Sequence, residues 1–196
     1  MKTDATKWWE GFLWQVEQPD QMAKLKSASL DGNLGQWTRL TTQAVVRACE
    51  TAGWQAAARG HRLHLLPESG EEYLAIDVMA FAGRPDEGTR WRFPVAAFEL
   101  ENSPQDDRVA YALWKVMCLR VPLRFVFAYR RDWEQARKLI EHFDKEVLGS
   151  LPLANLTELG GETLCIVGSR GEGETFPWGF FKSWKLDSNL VRFFRS

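Results

Sequence analysis

Two stretches of sequence decide the fold: residues 73–81, which read YLAIDVMAF, and residues 91–101, which end in PVAAFELE. Both place apolar residues at odd and at even positions, as strands buried on both faces of a sheet do. A segment rich in Gly, Pro and Asp at 83–88 separates them and predicts a turn. We therefore expect two neighbouring central strands that run antiparallel.

Helix and strand patterns alternate on either side of these two strands. Apolar residues at helical spacing predict helices over 4–17, 22–30, 37–52 and 104–119, and a further helix that Asp132 caps. Short apolar runs predict strands at 62–66, 123–129 and 163–168. The helix that separates residues 91–101 from residues 123–129 predicts that these two strands are parallel, with a right-handed crossover. The predicted fold is α/β, with a mixed central sheet flanked by helices.

The length of 196 residues predicts a single domain. Within it we expect an N-terminal helical extension at 1–36, an α/β core at 37–168 and an aromatic C-terminal segment at 169–196. The hydrophobic fraction of 45% excludes wholesale disorder, and no apolar run reaches the ~18 residues that a membrane span needs. Three cysteines, far apart in apolar surroundings, predict free thiols in a reducing cytoplasm.

Three carboxylates fall in the two strands that decide the fold. Glu99 and Glu101 share one face because side chains in a strand alternate, and Asp77 lies beside them if the register of the two strands allows it. Carboxylates that converge repel one another, and a divalent cation such as Mg²⁺ relieves the repulsion. Two other interpretations stay open. Glu101 is solvated at the strand end, or Glu99 pairs with an arginine such as Arg92 or Arg124.

Residues 76–77, residues 97–102, the helix that follows and the strand LRFVFAY at 123–129 together resemble the PD-(D/E)XK, or restriction-endonuclease-like, nucleases. The resemblance covers about residues 37–129. The core of that family is a helix, a three-stranded meander, a helix and a strand. The resemblance implies a nuclease that hydrolyses DNA phosphodiester bonds with Mg²⁺ or Mn²⁺.

The resemblance also assigns expected roles to individual residues. Asp77 and Glu99 match the metal-binding acids of the family, and Glu50 matches a first-helix glutamate that assists the metal. Glu101 stands where most members carry a lysine that orients the attacking water, although some active members have glutamate there. Glu101 is therefore expected to hold a second metal or the water. Lys115, on the following helix, is the candidate for a relocated lysine. The competing interpretations are that Glu50 is an exposed acid at a helix end and that Lys115 lies on a solvated helix face.

Nucleic-acid binding requires a local basic surface, because the net charge of the chain is −1. The candidates are Arg108 and Lys115, which share one side of the predicted helix, and Arg130 and Arg131 at the end of the strand that follows. These residues would contact DNA phosphates, or else form an ordinary solvated surface.

A catalytically inactive relative is the alternative function. The glutamate at position 101, the net charge of −1 and the tryptophan-rich termini favour a protein that binds nucleic acid or assembles with other proteins. Under this interpretation the tryptophan-rich termini form a homodimer surface, whereas the competing interpretation of the C-terminal segment is a strand that closes the core.

Overall fold

The computed structural model describes residues 3–83 and 87–195. The chain forms two compact units, residues 1–98 and 99–196, and the boundary falls inside a strand. The predicted division into extension, core and C-terminal segment stays a prediction.

The first unit is a layer of helices with an antiparallel meander. Its elements are α1 (Asp4–Glu17), α2 (Pro19–Leu30), α3 (Leu34–Thr51), β1 (Trp54–Ala58), β2 (Val78–Ala82) and the first part of β3 (Ala96–Leu100). β1 pairs with β2, and β2 pairs with β3, both in antiparallel orientation. The side chain of Asn33 caps α3 by accepting a bond from the Gln36 N–H, and Gly53 ends the helix with a φ of 79°.

The second unit contains the remaining helices and strands. They are α4 (Asp106–Met117), β4 (Leu123–Arg130), α5 (Trp133–His142), α6 (Leu153–Thr157), β5 (Glu162–Ser169), β6 (Phe181–Asp187) and β7 (Arg192–Arg195). A π-helical turn at Phe143–Val147 continues α5, and 3₁₀ turns occupy Leu148–Ser150 and Arg170–Thr175. β4 and β5 are parallel, whereas β5, β6 and β7 pair antiparallel in succession.

The seven strands follow the order β1-β2-β3-β4-β5-β6-β7 in one mixed sheet. The order of α3, the meander β1–β3, α4 and β4 is the helix, meander, helix and strand that the sequence predicts. The prediction of a mixed sheet flanked by helices is therefore confirmed. Every residue of β4 is buried, as expected of a central strand with both faces covered.

The strand predicted at 73–81 is shorter than expected and begins only at Val78. Leu74 and Ala75 have φ values of 55° and 54°, which place them in a tight turn closed by the Ile76 N–H on the Tyr73 carbonyl. Asp77 therefore lies directly before β2, and not inside a strand as predicted. The predicted turn at 83–88 includes residues 84–86, which lie outside the described part of the chain.

Other strand predictions also need correction. The segment predicted as a strand at 62–66 forms only an isolated bridge, between Leu63 and Gly70. β1 was not predicted, because its alanine-rich sequence WQAAA has weak strand propensity. β6 agrees with the interpretation of the C-terminal segment as a strand that closes the core, and β7 was not predicted. The strand predicted at 163–168 corresponds to β5, and β6 and β7 follow it in the chain.

The tryptophans of the N-terminal helix belong partly to the core. Trp8 is 1% exposed and packs on Phe98 with ring centroids 4.7 Å apart, which explains its place in α1. Trp14 and Trp178, in contrast, are 55% and 64% exposed. The predicted homodimer through the termini stays a prediction.

None of the helices within residues 3–83 and 87–195 has the length and apolar character needed to cross a bilayer.

The three thiols are free, and we expect only one of them to react in the folded protein. Cys49 and Cys165 are buried, and burial raises the pKa of both thiols far above the usual range, whereas Cys118 is exposed. A disulfide-exchange reagent at pH 8 should titrate one thiol per chain rapidly, and three after denaturation. Rapid reaction of two or more thiols in the native protein would contradict this burial.

Candidate functional site

The buried carboxylate of Glu99 has a lysine partner. Glu99 lies in β3 and is 7% exposed, and its Oε1 atom is 2.8 Å from Nζ of Lys115 in the last turn of α4. A cation in this position also interacts favourably with the helix dipole. The chain leaves β3, turns and returns along α4, so that the lysine on the helix reaches the acid on the strand. The carboxylate of a central strand is thereby paired with a cation from the helix that follows it.

The two arginines that the sequence offered as partners of Glu99 have other partners. Arg92 pairs with Glu87 at 2.9 Å. Arg124 is 3% exposed and donates to the carbonyls of Gly160 and Leu159, both at 2.9 Å. Burial lowers the pKa of the Arg124 guanidinium from its usual value.

Glu101 stabilises the turn that follows β3. It is half-buried, its backbone N–H donates to the Phe127 carbonyl at 3.0 Å, and its carboxylate accepts a bond from the Ser103 N–H at 2.7 Å. The carboxylate thus satisfies a backbone donor on the way into α4. Any role of Glu101 in holding a metal or water stays a prediction.

Asp77 lies in a cleft of the first unit that we call the inner cleft. Its volume is about 740 Å³. The lining residues come from α3, from the loop after β1 and from the segment before β2: Gly35, Thr38, Arg39, Thr42, Gln43, Arg59, Gly60, His61, Glu72 and Asp77. Asp77 is half-buried and directly precedes Val78, the register partner of Phe98. The cleft therefore presents a carboxylate at one end of a buried strand.

Two arginines that line the inner cleft were not predicted from the sequence as site residues. Arg39 and Arg59 are exposed, and neither guanidinium has an ion pair or a hydrogen bond with any residue that the structure describes. The neighbouring Arg62, in contrast, pairs with Glu71 at 3.8 Å. Unpaired guanidinium groups bind phosphate oxygens well, often with two parallel bonds. The inner cleft thus combines a carboxylate with cations suited to a phosphate group.

Glu50 is not among the residues that line the inner cleft. It is exposed near the end of α3, eight residues and about 12 Å of helix beyond Thr42. The part of α3 beside Asp77 presents threonine hydroxyls and Arg39 instead. The competing interpretation of Glu50, an exposed acid at a helix end, agrees with this position, and we leave Glu50 out of the proposed site.

Within the described ranges, no group of three or more His, Cys, Asp or Glu side chains is placed to hold a metal ion. The three converging carboxylates expected from the sequence do not form such a group. Asp77 and Glu99 each offer carboxylate oxygens, which are the donors that Mg²⁺ and Mn²⁺ prefer, and these cations usually keep several waters. The donor chemistry of the two acids therefore fits the implied metal.

Three of the four basic residues proposed for DNA contact have partners within the protein. Arg130 is 5% exposed and bonds to the carbonyls of Tyr129 and Ser103 at 2.7 and 3.2 Å and to Asp106. Arg131 is exposed and lies 3.3 Å from Asp132, and Lys115 pairs with Glu99. Arg108 is exposed on α4. The contacts of Arg130 therefore connect the end of β4 with the start of α4.

This structural role of Arg130 has a measurable consequence. We expect Arg130→Ala to lower the free energy of unfolding by about 2–4 kcal/mol, because it removes a buried guanidinium and leaves its acceptors unpaired. The matched control Arg131→Ala removes an exposed cation next in sequence and should change stability by less than about 0.5 kcal/mol. Urea denaturation measures both. Equal stability of the two variants would show that the Arg130 contacts contribute nothing.

Two solved structures match the entire chain at low sequence identity. One is NucC from P. aeruginosa ATCC27853 in its cAAA-bound form, with 15% identity and a TM-score of 0.50. The other is NucC from E. coli MS115-1, also cAAA-bound, with 14% identity and a TM-score of 0.49. Each match covers 100% of this chain and 84% of the other. No protein-family model matches the sequence, and no curated protein matches it either.

The class that this architecture defines is the restriction-endonuclease-like α/β fold. It agrees with the element order α3, β1–β3, α4 and β4 and with the resemblance found in the sequence. At this identity, the likeness to the Pseudomonas NucC structure establishes the fold alone.

Proposed function

We propose that this protein is a metal-dependent nuclease that hydrolyses DNA phosphodiester bonds, with Asp77 and Glu99 as ligands of Mg²⁺ or Mn²⁺. The observation that carries the proposal is the 2.8 Å contact between Lys115 and the buried carboxylate of Glu99. This contact supports the role of relocated lysine that the resemblance implies for Lys115, because Glu101 stands at the position of the motif lysine. Asp77 precedes Val78, and Glu99 follows Phe98, the register partner of Val78.

Each residue of the proposed site has a separate role in the reaction. The cation, when bound, polarises the phosphate and lowers the pKa of its bound water. Lys115 holds the Glu99 carboxylate in one orientation and supplies positive charge near the reacting phosphate. Arg39 and Arg59 neutralise phosphate oxygens in the inner cleft beside Asp77. Glu101 fixes the turn after β3 that leads into α4.

A catalytically inactive nuclease-fold protein is the second candidate. The observation that favours it is the Glu101 carboxylate, which bonds to the Ser103 N–H at the position where the family carries its lysine. Such a protein would keep the arginines of the inner cleft and bind nucleic acid, or would assemble through the exposed Trp14 and Trp178. It would bind DNA or form oligomers, and it would not cleave DNA in the presence of any divalent metal ion.

Metal binding separates these candidates without any assay of cleavage. We expect Mn²⁺ to bind the wild type in isothermal titration calorimetry, and Asp77→Asn to lose that binding. Glu72→Gln is the matched control, because it removes an equivalent charge from the same inner cleft and should retain Mn²⁺ binding. In EDTA, Asp77→Asn should still unfold cooperatively near the wild-type temperature, because asparagine keeps the shape of the half-buried aspartate.

Two results would count against this account of Asp77. Unaltered Mn²⁺ affinity in Asp77→Asn would remove Asp77 from the metal site. Strong destabilisation of Asp77→Asn in EDTA would instead assign Asp77 to a structural interaction.

A further inference from the structure

A second cleft adjoins the inner cleft in the first unit. This outer cleft also has a volume of about 740 Å³ and lies between the start of α2 and the exposed side of α3. Arg39 and Gln43, one helical turn apart, line both clefts. The two clefts are therefore neighbours across one ridge of α3.

The outer cleft is basic. Lys24, Arg39 and Arg47 line it, and Asp20 is its one acidic lining residue among those that the structure describes. Lys24 and Arg47 are exposed, and the side chains of all three cations have no ion pair or hydrogen bond within residues 3–83 and 87–195. Three unpaired cations on one surface repel one another, so a polyanion that covers them is favoured.

The spacing of these cations suits a chain of phosphates. Arg39 and Arg47 are eight residues apart on α3, which corresponds to about 12 Å along the helix axis. One strand of a duplex carries a phosphate about every 3.4 Å of axis, so this distance covers three to four phosphates. No Phe, Tyr or Trp is among the described residues that line the outer cleft. Without an aromatic platform, contact is with the phosphate backbone and is independent of sequence.

We propose that the outer cleft binds the phosphates of a nucleic-acid strand that continues from the bond at Asp77, with Lys24 and Arg47 as the contacting residues and Arg39 at the junction of the two clefts. The proposal rests on the proposed function, because the inner cleft would hold the scissile phosphate of the same strand. It moves the DNA contacts away from Arg130 and Arg131, which have partners within the protein.

The salt dependence of DNA binding tests this assignment. The probe is a fluorescein-labelled DNA duplex of about 30 base pairs, and its anisotropy is followed in EDTA at increasing NaCl, so no cleavage is involved. The double variant Lys24→Ala/Arg47→Ala should weaken binding and flatten the plot of log K against log [NaCl]. Each lost phosphate contact lowers the slope by about 0.9, so the two together lower it by up to about 1.8.

The control is the double variant Arg137→Ala/Lys138→Ala, which removes the same net charge from the exposed face of α5, where both residues pair with glutamates. It should retain the wild-type slope. Absence of DNA binding by the wild type, an unchanged slope in Lys24→Ala/Arg47→Ala, or an equal change in the control would overturn the proposal. A wild type that binds with the expected slope but cleaves nothing in Mg²⁺ or Mn²⁺ would support the outer cleft and remove only the nuclease.

Discussion

Replacing Glu99 by glutamine is expected to lower metal-dependent DNA cleavage by about 10³-fold. Charge stabilisation by a catalytic metal is worth several kcal/mol, and each 1.36 kcal/mol corresponds to a factor of ten in rate. The glutamine side chain keeps the shape of the carboxylate and loses its charge, so we expect the fold to be retained. Cleavage of a labelled duplex in Mg²⁺, with kcat and KM determined separately, measures the loss.

A closely matched control exists in the second unit. Glu162 in β5 pairs with Lys185 of β6 at 3.0 Å, and its side chain is 19% exposed against 9% for Glu99. Glu162→Gln therefore breaks an ion pair of the same type between a strand carboxylate and a lysine, and it should leave cleavage within about twofold of the wild type. If Glu99→Gln and Glu162→Gln retain the same cleavage rate, Glu99 has no catalytic role.

The second large effect concerns Lys115. Lys115→Met should reduce cleavage by about 10²-fold, a loss comparable to that of one preorganised electrostatic group. It should also lower the free energy of unfolding by about 2 kcal/mol in EDTA, because it takes a cation away from a carboxylate that is only 9% exposed. Lys185→Met, whose lysine is 41% exposed, should cost less than about 1 kcal/mol.

A double variant separates the two roles of Lys115. In Glu99→Gln/Lys115→Met the carboxylate charge is also gone, so stability should return toward the wild-type value while cleavage stays low. Urea denaturation and the duplex assay measure the two properties in parallel. Full cleavage by Lys115→Met, together with its loss of stability, would show that the pair with Glu99 is structural and has no catalytic role.

The order of helices and strands could be predicted because each of these elements has its own pattern of apolar residues in the sequence. The apolar periodicity of α3 and α4 and the uninterrupted apolar run of β4 mark these elements in the sequence. Strand limits were less predictable. The turn at Leu74 and Ala75 uses positive φ values that nothing in the residue types signals, and β1 is an alanine-rich strand whose formation depends on its pairing with β2.

The candidate site, like the fold, could be predicted from the sequence only in part. The resemblance singled out Lys115 as a relocated lysine, and the structure brings it to Glu99. Arg39 and Arg59 escaped notice because they are far from Asp77 in the sequence and approach it only through the packing of α3 and the loop after β1. The burial of Arg130 was equally hard to predict, since a basic residue at a strand end gives no sign in the sequence that its guanidinium is buried.

The central claim, metal-dependent hydrolysis of DNA at Asp77 and Glu99, is tested most directly by plasmid cleavage. Supercoiled plasmid is incubated with the wild type in Mg²⁺, in Mn²⁺ and in EDTA, and with Glu99→Gln purified in the same way. The account predicts nicked or linear plasmid with the wild type in at least one metal, and intact plasmid in EDTA and with Glu99→Gln. Intact plasmid in both metals, or equal cleavage by Glu99→Gln, would contradict it.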